Sequence, residues 1–291
     1  MTARERQALF GAIAMQLITG STYLFAKLGL REFSPLALGC LRFTITGAVF
    51  IAMLGWKNML VLPRPGDRKL FLALALLAVP LNQGLFLTGQ KYAPSSHGAL
   101  LYAMTPVMVL FLSSMFLSER ITWPKLAGVA LGFSGVAIVL LERTTAFTDQ
   151  TLFGDALIFL AVVTWAVFTI LGKKALARYE PIQMTGTALT LGALLFLPIG
   201  IPALAMQDWS TVTIIGIGST LYLALLTSVV AYMIWAWALR ILEAGKVAVV
   251  SNLQPIIATL LGWAFLGEPV TASFVAGTIL VITGVFLTQK G

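Results

Sequence analysis

Chemistry needs side chains that titrate, attack or coordinate, and this sequence keeps nearly all of them out of its apolar stretches. The 11 acidic residues, among them Glu32, Asp67, Glu119, Glu180, Glu243 and Glu268, all fall at the ends of apolar runs or in connecting segments. There is one histidine, His97, and one cysteine, Cys40, so neither a typical zinc site nor an internal disulfide can be assembled. No catalytic set, metal site or cofactor is therefore expected, since an enzyme would need a nucleophile, a base or a metal gathered in one place. The exception is Arg42, about seven residues into an apolar run and so roughly 10 Å deep by helical rise. A buried guanidinium is costly without a partner. It either snorkels to the interface or faces an internal pathway where a ligand carboxylate could pair with it.

The elements that would hold such a pathway are written for lipid. The chain is 59% hydrophobic and 10% charged, against roughly 25% charged residues in soluble domains. Apolar runs of spanning length lie at about residues 8–30, 35–55, 70–90, 95–117, 123–141, 153–172, 181–203, 212–239, 245–266 and 271–288. With no water in the hydrocarbon core, such runs must be helices. The expected fold is an all-α membrane protein of ten transmembrane helices. The net charge of +8 forms no basic stripe, so nucleic acid is not an expected partner; the lipid bilayer is. Only Lys27, Arg31, Lys91 and Arg143 fall outside one set of alternate loops, apart from Arg42 itself, which places both termini in the cytoplasm.

The chain also repeats itself. "FLSERIT" at 116–122 returns as "FLGEPVT" at 265–271, and the same offset of 149 carries Pro106 onto Pro255, Glu119 onto Glu268, Gly128 onto Gly277 and Gly135 onto Gly284. Gly11 with Gly154, Pro35 with Pro181 and Phe50 with Phe196 match at slightly smaller offsets. Two units follow, residues 1–145 and 146–291, each of five helices. Because five is odd, the second enters the membrane from the opposite side, giving the inverted repeat of secondary transporters.

Helical spacing then marks polar faces that lipid would penalise. Gln16, Gly20, Tyr23 and Lys27 share one stripe of the first helix. Asn82, Gln83 and Phe86 mark the third, Trp165 the sixth, and Ser228, Tyr232 and Trp235 the eighth. Tyr102 and Thr105 precede Pro106, while Ser251 and Asn252 precede Pro255. Proline removes a backbone donor, so Pro106 and Pro255 are expected to kink their helices and act as hinges. The expected substrate pathway is Gln16, Tyr23, Arg42, Asn82, Gln83, Phe86, Tyr102, Trp165, Tyr232, Trp235, Ser251 and Asn252. Glu119 and Glu268 are expected to cap or pair at helix ends. His97 reads as an ordinary histidine near a helix start. Trp56, Trp123 and Trp209 read as an interfacial belt, and Gly128, Gly132, Gly135, Gly277 and Gly284 as close-packing faces.

The stretches "QGLFLTGQKYAPSSHGALLYAMTPVMVLFLSSMFLSERITW" and "AYMIWAWALRILEAGKVAVVSNLQPIIATLLGWAFLGEPVT" both resemble the repeated EamA unit of the drug/metabolite transporter superfamily. "GCLRFTITGAVF" and "VTWAVFTILGKKAL" resemble its second and sixth helices. One departure is visible, Thr19-Gly20 where the family usually has Trp-Gly. The resemblance implies an exporter of amino acids or other small metabolites in the bacterial inner membrane, most like the aromatic amino acid exporters. A monomeric functional unit is expected. The alternative is a proton-coupled multidrug antiporter, favoured by the aromatic and methionine content and opposed by the lack of an intramembrane acid, the group through which small multidrug antiporters of the same superfamily exchange protons.

Overall fold

In the computed structural model, residues 1–60, 62–93, 98, 101–141, 149–257, 260–261 and 272–290 are described. His97, Phe265 and Glu268 lie outside them. Among the described residues the chain is helical, with no strand. Six helices are long and apolar enough to cross a membrane: α1 (Ala3–Gly29), α2 (Pro35–Trp56), α3 (Pro65–Tyr92), α6 (Asp149–Leu176), α7 (Pro181–Ala205) and α8 (Ile214–Ile241). Between and after them come the shorter α4 (Thr105–Leu117), α5 (Trp123–Leu141), α9 (Ala244–Val249) and α10 (Ala272–Lys290).

Local sequence explains where these helices begin. Thr2 caps α1 in a reciprocal box: its hydroxyl accepts the Glu5 N–H at 3.2 Å, and the Glu5 carboxylate accepts the Thr2 N–H at 2.7 Å. Ser34 caps α2, with Pro35 in the first turn where its missing N–H costs nothing. Thr213 caps α8 through the Ile215 N–H at 3.1 Å. The α8 start is held further by the carboxylate of Glu32, which accepts the Thr213 N–H at 2.8 Å and its hydroxyl at 2.7 Å. Those hydrogen bonds, the backbone one foremost, hold Glu32 below the usual carboxylate range.

Glu119 also caps a helix start, but across the fold. Its carboxylate accepts the N–H groups of Ala244 and Gly245, at 2.8 and 3.4 Å, so it holds α9 rather than the helix that follows it in sequence. Around the same end Lys125 pairs with Glu243, and Lys173 donates to the carbonyls of Leu239 and Leu242 at 2.6 and 2.5 Å.

Two features break the regularity of the helices in matching places. α3 carries a π turn at Leu77–Leu81 containing Pro80, and α8 a π stretch at Tyr222–Ala231. At Ala103–Met104 the chain turns before α4 begins at Thr105. At Val250–Leu253 it winds into a 3-10 turn after α9. Each expected mid-helix proline therefore sits in the first turn after an interruption, Pro106 in α4 and Pro255 just past Gln254. There it needs no N–H and bends nothing. The interruption is a break, not a proline kink.

Packing follows small residues. α2 lies along α7, α5 along α10, α3 against α6 and α7, and α1 against α8. A Cβ on Gly39 would stand 3.1 Å from the Phe196 ring, and one on Gly186 would stand 3.0 Å from Phe50. The two matched phenylalanines thus each lie over a glycine of the other helix. The α5–α10 seam is tighter still: a Cβ on Gly128 would come 2.5 Å from the Gly284 carbonyl oxygen, and one on Gly135 would come 2.5 Å from that of Gly277. Phe10, Leu17, Met115, Ile214 and Phe286 point outward and exposed, as do Trp56, Trp123 and Trp209 at helix ends. Such an apolar exterior fits lipid contact.

Two outcomes follow for stability. Gly135→Ala should lose about 1–3 kcal/mol through overpacking, read as a lower melting temperature in detergent. Gly218→Ala, whose new methyl meets nothing within 4 Å, should instead gain roughly 0.5–1 kcal/mol of helix propensity; equal shifts in the two variants would refute the seam. For Glu32 the depressed folded-state value means its contribution is complete above the unfolded value of 4.5 and lost as pH falls through the lower folded one. Glu32→Gln should therefore lower the melting temperature at pH 7, and the gap should narrow as pH falls below 4.5 and close once it has passed the lower folded value. A gap that does not change with pH would show that the carboxylate charge contributes nothing.

Candidate functional site

The interruptions and π turns surround a cavity of about 700 Å³, counting its open mouth. α1 contributes Met15, Thr19, Thr22 and Tyr23; α2 contributes Arg42; and α3 contributes Asn82, Gln83 and Phe86 directly after its π turn. Tyr102 and Thr105 come from the break before α4, and Ser251 and Gln254 from the break after α9. Trp165 of α6 and Thr227, Ala231, Tyr232 and Trp235 of α8 complete the wall. Both halves of the chain therefore line one space.

Arg42 is 1% exposed, and its surroundings explain how a cation is tolerated there. Its Nε donates to the Ser228 hydroxyl and its Nη1 to Gln83 Oε1, each at 2.8 Å. Ser228 passes its own proton to the Leu223 carbonyl at 2.9 Å, a reach of five residues that suits a π turn. Gln83 Nε2 donates to Asn82 Oδ1. Asn82 Nδ2 ends the chain on the Ala161 carbonyl at 2.6 Å and also reaches the Tyr102 hydroxyl at 3.2 Å. Because a carbonyl can only accept and a guanidinium only donate, both ends of this relay fix the orientation of the amides between them.

A second relay follows the same rule. Gln16 Nε2 donates to the Ala12 carbonyl at 2.9 Å, Gln254 Nε2 to Gln16 Oε1 at 3.1 Å, and the Tyr23 hydroxyl to Gln254 Oε1 at 3.2 Å. Aromatic rings form the rest of the wall. Trp165 meets Tyr232 edge-on at 5.3 Å and Trp235 at 5.5 Å, and Phe86 meets Tyr23 and Tyr102 edge-on at 6.0 and 5.6 Å. These distances fall within the range of favourable ring pairs. Among the described residues the lining holds no acid and no histidine, and no group of metal-ligating side chains is found. The arrangement can hold and orient a solute.

Of the pathway residues expected from sequence, Tyr23, Arg42, Asn82, Gln83, Phe86, Tyr102, Trp165, Tyr232, Trp235 and Ser251 line the cavity. Gln16 and Asn252 stand outside the lining. Gln16 is fully buried behind it, holding Gln254 in place, and Asn252 turns toward α5, where its amide lies against Gly132. Sequence reasoning passed over Met15, Thr19, Thr22, Thr227 and Gln254. The face of α1 that lines the cavity is turned by about one residue from the expected stripe: Gly20 packs on Ile257 and Lys27 is exposed. For Gln254 a signal was present, since the offset of 149 carries Thr105 onto it and Tyr102 onto Ser251.

Comparison with known proteins accords with this architecture. A solved crystal structure superposes with a TM-score of 0.81 at 18% identity, covering 97% of this chain and 98% of its own, a likeness of fold. An uncharacterised transporter of Archaeoglobus fulgidus is 32% identical over 93% of this chain and 94% of its own length. A probable terminal-alkyne amino-acid exporter of Streptantibioticus cattleyicolor is 26% identical over 96% of this chain and 92% of its own. The EamA-like transporter family matches residues 6–141 and again residues 152–289. This chain, a multi-pass membrane protein, belongs to the EamA-like transporter family.

Proposed function

We propose that the protein exports small amphipathic metabolites bearing a carboxylate, amino acids and related acids among them, across the bacterial inner membrane by alternating access. The observation that carries this reading is Arg42: a buried cation with no acid among the described residues of the lining, at the wall of an aromatic cavity to which both halves contribute. The hydrogen bonds to Ser228 and Gln83 offset the burial of the cation but leave its charge unmatched, and a substrate carboxylate would supply the counter-charge. The relative from Streptantibioticus, whose name says amino-acid exporter, supports the same class.

The architecture supports ten spans in two inverted halves, residues 1–145 and 146–291, with both termini cytoplasmic. The family matches twice. The contacts of Gly128 with Gly284 and of Gly135 with Gly277 exchange when the two halves are exchanged, as they would about a two-fold axis. Breaks at 103–104 and 250–253 place polar groups of discontinuous helices at the cavity, as in other inverted-repeat transporters. The breaks themselves, rather than Pro106 and Pro255, would be the bending points. A transported solute would reach Arg42 from one face and leave by the other once the halves rock.

Reconstituted proteoliposomes test this. Wild-type protein should move a labelled aromatic amino acid or its deaminated acid down a gradient, with a rate unaffected by an imposed pH gradient. Arg42→Met should raise the half-saturation concentration at least about 30-fold, the effect of losing roughly 2 kcal/mol from a buried charge pair. A panel in which no carboxylate moves would refute the reading. Flux that follows the pH gradient would return it to proton antiport.

A further inference from the structure

The hydrogen-bonding polarity of the cavity says more than its charge. Asn82 Oδ1 accepts from Gln83, Gln83 Oε1 from Arg42, Gln254 Oε1 from Tyr23, and Gln16 Oε1, behind the lining, from both Gln254 and Thr19. The Ala161 carbonyl accepts from Asn82. None of these assignments can be reversed by flipping an amide, because the relays end on backbone carbonyls at one side and on a guanidinium or a phenol donor at the other.

What the same lining offers in excess is a set of donors. Arg42 uses Nε and Nη1 on Ser228 and Gln83 and has the N–H groups of Nη2 left over. Tyr102 accepts from Asn82, which leaves its own proton free to donate. The Tyr232 hydroxyl, the Trp235 indole N–H and the Thr105 hydroxyl are buried without a partner among the described residues, and all three residues line the cavity. A buried unpaired donor is costly, and three of them on residues that line one space suit an acceptor entering beside Arg42. On the acceptor side the described lining offers neutral oxygens alone: hydroxyls, such as those of Ser251, Thr22 and Thr227, and the second lone pairs of the Asn82, Gln83 and Gln254 amides.

We infer that the cavity selects an aromatic monocarboxylate that carries no α-ammonium, a net anion, over the corresponding zwitterionic amino acid. The inference deepens the transport reading above and rests on it. A carboxylate satisfies Arg42 and the neighbouring donors at once, and charge-assisted hydrogen bonds are about twice as strong as neutral ones. The ring of such an acid lies among Phe86, Trp165, Tyr232 and Trp235. An ammonium in the same cavity meets no carboxylate among the described residues, only neutral oxygens, several of which already accept a bond, and it is repelled by Arg42, so its desolvation is poorly compensated. The aromatic rings of the wall would attract a cation, the more so once it is desolvated, but Arg42 sits in the same wall and opposes them.

The test is competition and flux in proteoliposomes at pH 7.4 with three probes that share one ring: phenyllactate, phenylalanine and phenethylamine. Phenyllactate should half-saturate at a concentration at least tenfold below phenylalanine, phenethylamine should not compete, and a valinomycin-imposed potassium potential should change phenyllactate flux and leave phenylalanine flux unchanged. Arg42→Gln should bring the ratio of the two half-saturation constants to about one. Tyr232→Phe, which removes a single donor and keeps the ring, should raise the phenyllactate constant at least threefold with a smaller effect on phenylalanine, and serves where the arginine variant does not fold. Phenylalanine moving as well as or better than phenyllactate, or an unchanged ratio in both variants, overturns this inference and leaves the transport reading standing. If neither acid moves, both fall.

Discussion

One constraint organises the molecule: a guanidinium buried at mid-span must be satisfied by groups that the fold itself brings to it. A central cation costs roughly 2.5–3.5 kcal/mol even on the lenient insertion scale, while each hydrogen bond to a charged group returns about 1.5–3 kcal/mol. Two such bonds, from Arg42 to Ser228 and to Gln83, bring the balance near zero without any carboxylate. They do so only if α2, α3 and α8 hold their positions, and the amide relay extends the condition to α6 through the Ala161 carbonyl. Four helices are thus fixed by the needs of one side chain. Its remaining N–H groups keep the cavity open to acceptors.

The irregular backbone serves the same end. In a straight α3 or α8 the backbone would bond to itself throughout. π turns at Leu77–Leu81 and Tyr222–Ala231 shift the helical phase just before Asn82 and Gln83 on one side and around Ser228 and Tyr232 on the other. Such turns recur at functional sites because they turn side chains that a regular helix would place elsewhere. Here they bring both partners of Arg42 to the same depth.

The sequence carried much of this pattern and withheld the rest for identifiable reasons. Composition and run lengths revealed the helices, and a constant offset of 149 revealed the matched glycines of α5 and α10. The stripe rule found most of the lining, because a polar group in an apolar run has few acceptable places to point. It failed by one residue at Asn252, since a 3-10 turn advances each side chain by about 120° rather than 100° and so turns Asn252 away from the cavity toward α5. It failed at Gln16 because the partner, Gln254, lies 238 residues away, and such pairing belongs to tertiary structure. Only Pro80 hinted at a π turn, and α8 forms its own without any proline among those ten residues. Glu119 was legible as a capping group, but which helix it capped was not, because the acceptor of a helix end is chosen by neighbours in space.

What connects the ends of the fold to its cavity is α9, which at six residues is roughly 9 Å long. Its first N–H groups rest on the Glu119 carboxylate, and Lys125 and Lys173 hold the adjoining turn. Its last turn passes into the break that presents Ser251 and Gln254 to the cavity, with Gln254 joined to Tyr23 and Gln16 of α1. A rod this short has little freedom to flex between its two attachments. Displacing Gln254 therefore displaces the end that Glu119 grips, unless the 3-10 turn itself gives way. By contrast, the α5–α10 seam, with carbonyl oxygens pressed against glycines, leaves no room for sliding without separation. The division between a tight seam and broken, polar helices at the cavity fits backbone chemistry in lipid: irregular backbone is tolerated only where it is buried in protein or lines a wet space, and both breaks here place polar side chains at the cavity.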